Sequence, residues 1–334
     1  MEKTKNEDYK SFLVALLLAV AACGLFPFYP VFAVFVPFVF ACLFIFGGYL
    51  KGSVGIVFCL LAAYAIDPVS CTVLAVAFIP PAAAAGYAVR TRLRFRSSVI
   101  AASTAALCGA ALLIGILWLV TQQGPADYLA EAFGRSLAAL GDETVKAFYQ
   151  IFRYSDVLTG TVTQSALQAA SAADALNVMQ AMVKDIINLV IVSYIIIYAL
   201  AIGLLLVVIA RAFAIKRGLR VSGVPAFSEF SLPKRFWLAY MASVLVAYFG
   251  ADFGLPGFDN VLLTIHSVYS FVFIIQGLVF LDFLYKKRSM GKGSRVTLHI
   301  LIGLLAASLL MIVGLIENLF GLRKRLVEKG GTAS

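Results

Sequence analysis

Long apolar runs separated by short polar segments dominate the chain. Nine runs have the composition of membrane spans, and they cover residues 12–28, 31–50, 52–66, 69–89, 98–120, 186–210, 236–250, 261–284 and 296–319. A bilayer core about 30 Å thick needs about 20 apolar residues in a helical span. The runs are continuously apolar rather than alternating, which favours helices over the strands of a membrane barrel. The pattern predicts an all-α polytopic transmembrane helical bundle of about nine spans.

One polar segment, residues 121–184, is much longer than the other connections. Apolar side chains recur in it at helical spacing, which predicts an amphipathic helical insertion outside the membrane; they are Phe133, Leu137, Leu140, Phe148 and Phe152. Residues 159–175 are rich in Ser, Thr, Gln and Ala and give no comparable stripe. A helical pair on the outer membrane face and a lid or partner-binding element both fit this insertion.

Composition and charge support a membrane protein and predict its orientation. Hydrophobic residues make up 62% of the chain and charged residues 13%, with a mean hydropathy of +0.96. Soluble domains are about half apolar and a quarter charged. The net charge is +10, but the bases lie in short loops, which is the positive-inside pattern and not that of a nucleic-acid partner. We expect these loops to be cytoplasmic.

This pattern divides the chain into five parts. They are a cytoplasmic N-terminus (1–11), a six-span unit that includes the insertion (12–210), a basic cytoplasmic loop (211–235), three further spans (236–319) and a basic C-terminal tail (320–334). Nine spans would place Arg323, Lys324 and Arg325 outside, against the positive-inside tendency. Three alternatives remain: the last segment is re-entrant and bends at Gly303 or Gly314, the short third run does not cross, or the three bases are tolerated.

The stretch GGYLKGSVGI, residues 47–56, lies between two apolar runs. Its glycines, Gly48, Gly52 and Gly55, match neither spacing of the glycine-rich phosphate-binding motifs. A charge at the bilayer centre costs about 2.5–3.5 kcal/mol, so Lys51 is expected at an interface. The stretch therefore predicts a cytoplasmic turn between two spans.

Few polar residues lie within the apolar runs, and such residues usually face protein or water. An outward-opening cavity that binds a small solute is predicted from five of them: His266, Glu317, Asn188, Tyr194 and Gln276. Solvated interfacial positions are the alternative. We find no HExxH or GxSxG motif, so no catalytic residue is expected. The two histidines are not spaced as zinc ligands, so neither a metal nor a cofactor is expected.

Two stretches carry a resemblance to a known family. They are AFSEFSLPKR at residues 226–235 and GLIEN at residues 314–318, the latter followed by FGLRKR at residues 320–325. They resemble the YybS-like predicted membrane proteins, a bacterial family with a domain of unknown function. An aspartate is usual in that family where Glu317 or Asn318 stands here. The resemblance implies a multi-pass protein of the bacterial cytoplasmic (inner) membrane.

The N-terminal half of that family is similar to the S components of energy-coupling factor transporters. The small pair Ala15 and Ala19 matches the face by which S components dock onto their coupling protein, and residues 47–55 match a glycine-containing turn. The three extra spans and the outer insertion depart from S components. The resemblance implies uptake of a small solute, with energy supplied by a coupling protein and ATPase subunits.

Two further functions stay open alongside solute uptake. One is a structural or regulatory membrane protein that holds partners through its outer insertion or its basic loops. The other is a membrane enzyme acting on lipid, which requires Glu317 and His266 to converge. The lipid bilayer is a partner in every case.

Overall fold

The structure is a computed structural model that describes residues 2–29, 32, 35–159, 171–219, 221, 223–255 and 257–331. Within these residues all regular secondary structure is helical, which confirms the all-α prediction. A π-helical turn covers Leu74–Phe78 and a 3-10 turn covers Phe227–Glu229. The α-helices of the described ranges are α1 (Glu2–Leu25), α2 (Val36–Ile66), α3 (Pro68–Val73), α4 (Ile79–Arg90), α5 (Phe95–Thr121), α6 (Pro125–Ala138), α7 (Asp142–Thr159), α8 (Ala172–Lys216), α9 (Phe236–Asp252), α10 (Phe258–Lys287), α11 (Lys292–Leu305), α12 (Ala307–Phe320) and α13 (Leu322–Gly331).

The described helices supply fewer membrane spans than the nine that the sequence predicts. Five segments are long and apolar enough to cross a bilayer: Val36–Ile66, Pro68–Arg90, Phe95–Thr121, Ala172–Lys216 and Asn260–Lys287. A sixth exists if the bent pair α11 and α12 counts as one span, while α9 and the apolar part of α1 are short. The nine-span count is therefore not confirmed, because the first and seventh apolar runs form short helices and the last run is bent.

Helix α2 folds back on itself at Gly48. This residue has φ 67° and ψ −170°, a positive-φ conformation that favours glycine. In a straight helix the nine-residue step from Leu43 to Gly52 would be about 13.5 Å along the axis. A Cβ built on Gly52 instead lies 3.0 Å from the Leu43 carbonyl oxygen, so the two arms of α2 touch. The break lies within the turn predicted at residues 47–56, where Gly52 and Gly55 are buried and Lys51 is exposed.

The last apolar run is a bent pair of helices. Helices α11 and α12 meet at an angle of 107°, at Ala306, whose φ of −136° and ψ of 36° interrupt the helix. A bend at Gly303 or Gly314 was one of three alternatives for this segment, and neither position is correct because each glycine lies inside a helix.

Both ends of the bent pair lie at the same end of α10. Lys287, the last residue of α10, precedes α11 by a short turn. Its Nζ donates a hydrogen bond, 3.2 Å long, to the carbonyl oxygen of Leu326, which follows α12. The pair therefore enters and leaves on one side, as a re-entrant segment does. This geometry removes the conflict over the basic tail, since residues 323–325 return to the end at which α11 begins.

Helices α10 and α12 cross closely through two glycines. A Cβ built on Gly314 would lie 2.8 Å from the backbone nitrogen of Gly277 and 2.9 Å from the carbonyl carbon of Phe273. A Cβ built on Gly277 would lie 3.0 Å from the carbonyl carbon of Leu310. Small residues let helix backbones approach in a membrane, where packing replaces the hydrophobic driving force. The crossing sets the position of every polar group that α12 carries beyond Gly314.

Residues 111–194 form a second compact unit with its own core. The predicted amphipathic stretch is two helices, α6 and α7, separated at Gly141, which has φ 89°. Leu137 is buried with Val145 and Met179, and Phe133 packs against this cluster. Leu140 and Phe148 are exposed instead, because the break at Gly141 interrupts the helical stripe. The side chain of Phe152 and most of the stretch predicted at 159–175 lie outside the described residues.

Candidate functional site

Two of the predicted intramembrane polar residues, Glu317 of α12 and Gln276 of α10, meet in the interior. Glu317 is 5% exposed and Gln276 is 1% exposed. The Nε2 of Gln276 donates a hydrogen bond to the Oε2 of Glu317. The Oε1 of Glu317 accepts a hydrogen bond from the Nε of Arg323 at 2.7 Å, in a salt bridge whose side chains are 7% and 12% exposed. The carboxylate is thus neutralised by an adjacent guanidinium.

The same network holds the segment that connects α8 to α9. The Nη1 of Arg323 donates to the carbonyl oxygens of Ser228 and Phe230 at 3.0 and 2.7 Å. The Oε1 of Gln276 accepts from the backbone N–H of Leu232 at 3.3 Å. Backbone groups away from regular structure need such partners when water is excluded. Gln276, Glu317 and Arg323 therefore serve as an anchor for this segment.

Asn318 adds a second clamp on the segment. Its Nδ2 donates to the carbonyl oxygen of Pro233 at 3.0 Å, and its Oδ1 accepts from the backbone N–H of Trp237 at 3.0 Å. Asn318 and Arg323 were not among the predicted site residues. Their proximity to Glu317 along the chain was the available signal, but only the fold shows that all three face the α8–α9 connection.

Of the remaining predicted solute-binding residues, His266 does not join Glu317 and Gln276. His266 is exposed, and its Nδ1 lies 3.1 Å from the hydroxyl of Tyr240. His266 and Gln276 are ten residues apart on α10, which is about 15 Å along the axis. His266 therefore does not lie beside Glu317, a proximity that the lipid-enzyme hypothesis requires. Asn188 and Tyr194 belong to the second unit, and both are exposed there.

The predicted docking pair, Ala15 and Ala19, is covered by the chain itself. Their exposed fractions are 6% and 1%. Helix α1 packs on α2, where a Cβ built on Gly55 would lie 3.3 Å from Leu16 and 3.6 Å from Phe12. The small residues of α1 thus serve packing within the chain, which was the alternative to docking on a partner.

A second charged cluster lies beside the anchored segment. Asp282 is 6% exposed and pairs with Arg295 at 3.0 Å and with Lys286 at 3.8 Å. The Nζ of Lys286 also donates to the hydroxyl of Ser228 at 2.5 Å. Both ring nitrogens of His299 face carbonyl oxygens, those of Arg295 and Leu278. These bonds tie α10, α11 and the α8–α9 connection together at one end.

Arg211, near the end of α8, fixes the start of α5 at this end. It is 1% exposed, and its Nη2 donates to the Leu93 carbonyl oxygen and, at 2.7 Å, to the Ser98 hydroxyl. Its guanidinium also lies 5.6 Å from the ring centre of Phe95. The next residue, Arg96, is exposed. Arg96 therefore lies in the first turn of α5, which the hydrogen bonds of Arg211 hold in place.

A cleft of about 920 Å³, which we name the basic cleft after its lining arginines and lysines, opens against the anchored segment. Five bases and two acids are among its described lining residues: Arg96, Lys234, Arg323, Lys324, Arg325, Glu229 and Glu317. Glu317 is paired with Arg323, and Glu229 accepts a hydrogen bond from the backbone N–H of Ala226 at 3.3 Å. Among the ion pairs of the described chain, none involves the other four bases.

The chemistry of the basic cleft suits an anion. Its excess of bases attracts negative charge, and arginine matches the geometry of phosphate and carboxylate groups. Helix α13 begins at Leu322, and the flanking residues Gly321 and Arg323 line the cleft. The first backbone N–H groups of a helix carry partial positive charge and favour anions. The cleft thus combines fixed positive charge with a helix start.

A second cavity of about 520 Å³, which we name the apolar cavity, adjoins the basic cleft. Most of its lining is aliphatic or aromatic and comes from α5, α8, α9 and α10: Val99, Ile100, Leu200, Leu204, Phe236, Val268, Tyr269, Phe271, Val272 and Ile275. Four residues line both spaces, namely Arg96, Ser231, Leu232 and Pro233. Ser231–Pro233 therefore forms a lip between a charged space and an apolar one.

Comparison with known proteins gives one family match. Residues 12–316 match the model of a family described as predicted membrane protein (DUF2232). The search of curated proteins and the search of solved structures each gave no match. The match spans both compact units, the anchored segment and most of α12.

Proposed function

From the premise that the chain belongs to the predicted membrane protein family DUF2232, we propose that this multi-pass helical protein binds a small anionic ligand in the basic cleft. One observation carries the proposal: five bases and two acids line a cleft of about 920 Å³ in the described chain, and one of the acids is already neutralised by Arg323. Four exposed bases, Arg96, Lys234, Lys324 and Arg325, remain to bind the ligand.

The positive-inside tendency supports a cytoplasmic location for this cleft. The basic connection that follows α8, the α10–α11 turn and the basic tail all lie at one end, because Lys287 bonds to Leu326 and Arg323 bonds to Ser228 and Phe230. A re-entrant arrangement of α11 and α12 accounts for this. Lys and Arg in short loops set the orientation of a membrane protein. The N-terminus is also assigned to the cytoplasm, and the bacterial inner membrane is the location that the family resemblance implies.

Binding of inorganic pyrophosphate to the full-length protein in mild detergent tests the proposal. Calorimetric titration at constant ionic strength should show saturable binding to the wild type. Arg96→Gln and Lys324→Gln should each weaken pyrophosphate binding about fivefold, which corresponds to the roughly 1 kcal/mol that one base contributes at an anionic lipid surface. Lys292→Gln removes an exposed base that does not line the cleft and is the matched control.

Two results would refute the proposed site. In one, the wild type shows no saturable binding of pyrophosphate. In the other, Lys292→Gln weakens binding as much as Arg96→Gln does, which would mean that pyrophosphate senses net charge alone. An unchanged affinity in Lys292→Gln with a loss in both cleft variants supports the assignment.

Energy-coupled solute uptake through a coupling protein and ATPase subunits stays a prediction. The outward cavity expected for it depended on His266 beside Glu317, and the docking face on Ala15 and Ala19. His266 lies apart from Glu317, and the alanines are buried under α2. The structural or regulatory role through the insertion or the basic loops also stays a prediction. We therefore favour ligand binding in the basic cleft.

A further inference from the structure

The lip between the basic cleft and the apolar cavity is held rigidly by buried side chains. Gln276 accepts from the backbone N–H of Leu232, and Asn318 donates to the carbonyl oxygen of Pro233. Gln276 is 1% exposed and Asn318 is 8% exposed. Buried side chains therefore hold the backbone of Leu232 and Pro233, while Ser231 is exposed. A fixed lip lowers the entropy cost of placing one ligand across both spaces.

The two spaces have opposite chemistry on the two sides of this lip. The basic cleft holds exposed bases with no ion-pair partner among the described residues. The apolar cavity is lined by aliphatic and aromatic side chains from four helices, with Arg96 and Ser231 at its polar edge. A ligand that satisfies both sides carries an anionic group at one end and hydrocarbon at the other.

We propose that the ligand is an anionic amphiphile, a lipid phosphate, whose phosphate binds in the basic cleft and whose hydrocarbon chain enters the apolar cavity past Ser231. This inference rests on the proposed function, because it assigns the substance that the basic cleft binds. Charge complementarity selects the head group. The hydrocarbon chain of the ligand gains little hydrophobic free energy when it leaves the bilayer, because lipid tails are as apolar as the cavity. Packing within the cavity therefore selects the hydrocarbon chain.

Alkyl phosphates of increasing chain length test this inference on the full-length protein in mild detergent. Butyl, hexyl and octyl phosphate share one head group and differ in hydrocarbon. Their binding is measured by equilibrium dialysis and corrected with protein-free micelles. Affinity for the wild type should rise about fourfold per added methylene, which corresponds to about 0.8 kcal/mol, until the cavity is full.

Two variants fill the apolar cavity from different helices. Val272→Phe on α10 and Leu204→Phe on α8 should each remove the dependence on chain length and leave pyrophosphate binding intact. Two variants are used so that the test does not depend on a single overpacked site, and retained pyrophosphate binding shows that the fold survives. Val296→Phe, at a valine that is 60% exposed on α11, is the matched control and should bind as the wild type does.

The outcomes separate this inference from the proposed function. If pyrophosphate binds and all three alkyl phosphates bind equally, the amphiphile is refuted and the anion site stands. If neither pyrophosphate nor any alkyl phosphate binds, both fail. Neutral octyl glucoside is the comparison for charge. If the filling variants lower its affinity as much as that of octyl phosphate, the apolar cavity binds alkyl chains regardless of charge, and the proposal of an anionic amphiphile is refuted. The proposal is supported if the dependence of affinity on chain length is lost in both filling variants and kept in Val296→Phe.

Discussion

Replacement of Gly314 by alanine tests the close crossing of helices α10 and α12. The added Cβ would lie 2.8 Å from the backbone nitrogen of Gly277 and 2.9 Å from the carbonyl carbon of Phe273, at least 0.5 Å short of an ordinary contact of 3.4 Å. Both neighbours are backbone atoms, so no side chain can rotate away. Helices α10 and α12 must move apart, and a gap of 0.5–1 Å forfeits about a quarter to a half of the dispersion energy across it.

The expected free-energy change follows from two opposing terms. Overpacking of a close contact costs about 1–3 kcal/mol, and backbone neighbours place this site near the upper value. Alanine regains about 0.5–1 kcal/mol over glycine inside a helix. We expect Gly314→Ala to lower the free energy of unfolding by about 2 kcal/mol, since the first of these terms is the larger. The displaced α12 should also carry Glu317 and Asn318 away from the α8–α9 connection.

Gly303→Ala is the matched control, because Gly303 lies in α11 of the same bent pair and a Cβ built there meets nothing within 4 Å. This variant should be more stable than the wild type by about 0.5–1 kcal/mol. Unfolding by sodium dodecyl sulfate in mild detergent, followed by far-ultraviolet circular dichroism, measures both. Equal stability of the two variants would show that α10 and α12 do not cross at these glycines, and the positions of Glu317 and Asn318 would lose their basis.

Three further substitutions test other contacts. Glu317→Gln leaves the guanidinium of Arg323 without its carboxylate, so the same unfolding assay should show a loss of about 3–5 kcal/mol, and a double variant that also removes the arginine should lose less than the sum. The pKa of Asp67, which caps α3, is held below its ordinary value by the side-chain and backbone hydrogen bonds of Ser70. The stabilisation from this cap is present above the ordinary pKa and is lost as the pH falls through the lowered pKa. The free energy of unfolding of Asp67→Asn should therefore change less with pH in an acid titration than that of the wild type. Met179→Ala, at a fully buried position in the second unit, should cost about 2–5 kcal/mol in thermal unfolding, and an unchanged melting temperature would contradict the assigned core.

Much of the local structure follows from the sequence. Continuous apolar runs require helices in a membrane, because every backbone polar group must be satisfied within the segment. The glycines at residues 47–56 marked a break that the structure places at Gly48, with its positive φ. A break within the apolar stripe of the insertion was not expected, since Leu140 and Phe148 keep helical spacing in the sequence. In the structure Gly141 separates α6 from α7 and both side chains are exposed.

The span count and the candidate site depended on tertiary structure. The hydropathy of an apolar segment is the same whether its helix crosses the membrane, folds back as α2 does, or bends as α11 and α12 do. The sequence therefore assigned Glu317 to the outer side with His266. The bend at Ala306 and the crossing at Gly277 and Gly314 instead carry Glu317 to the basic end of α10.

The sequence by itself determined that the chain is an all-helical multi-pass membrane protein with its bases in short loops, because hydrocarbon content and charge placement are properties of composition and order. It also marked Gln276 and Glu317 as polar residues in apolar surroundings. Only the tertiary structure decided that these two meet each other and hold the α8–α9 connection, since hydrogen bonds between residues 41 or more positions apart depend on how helices cross. The basic cleft and the apolar cavity exist for the same reason. Their walls come from α5, α8, the α8–α9 connection, α9, α10, α12 and α13, which no local pattern brings together.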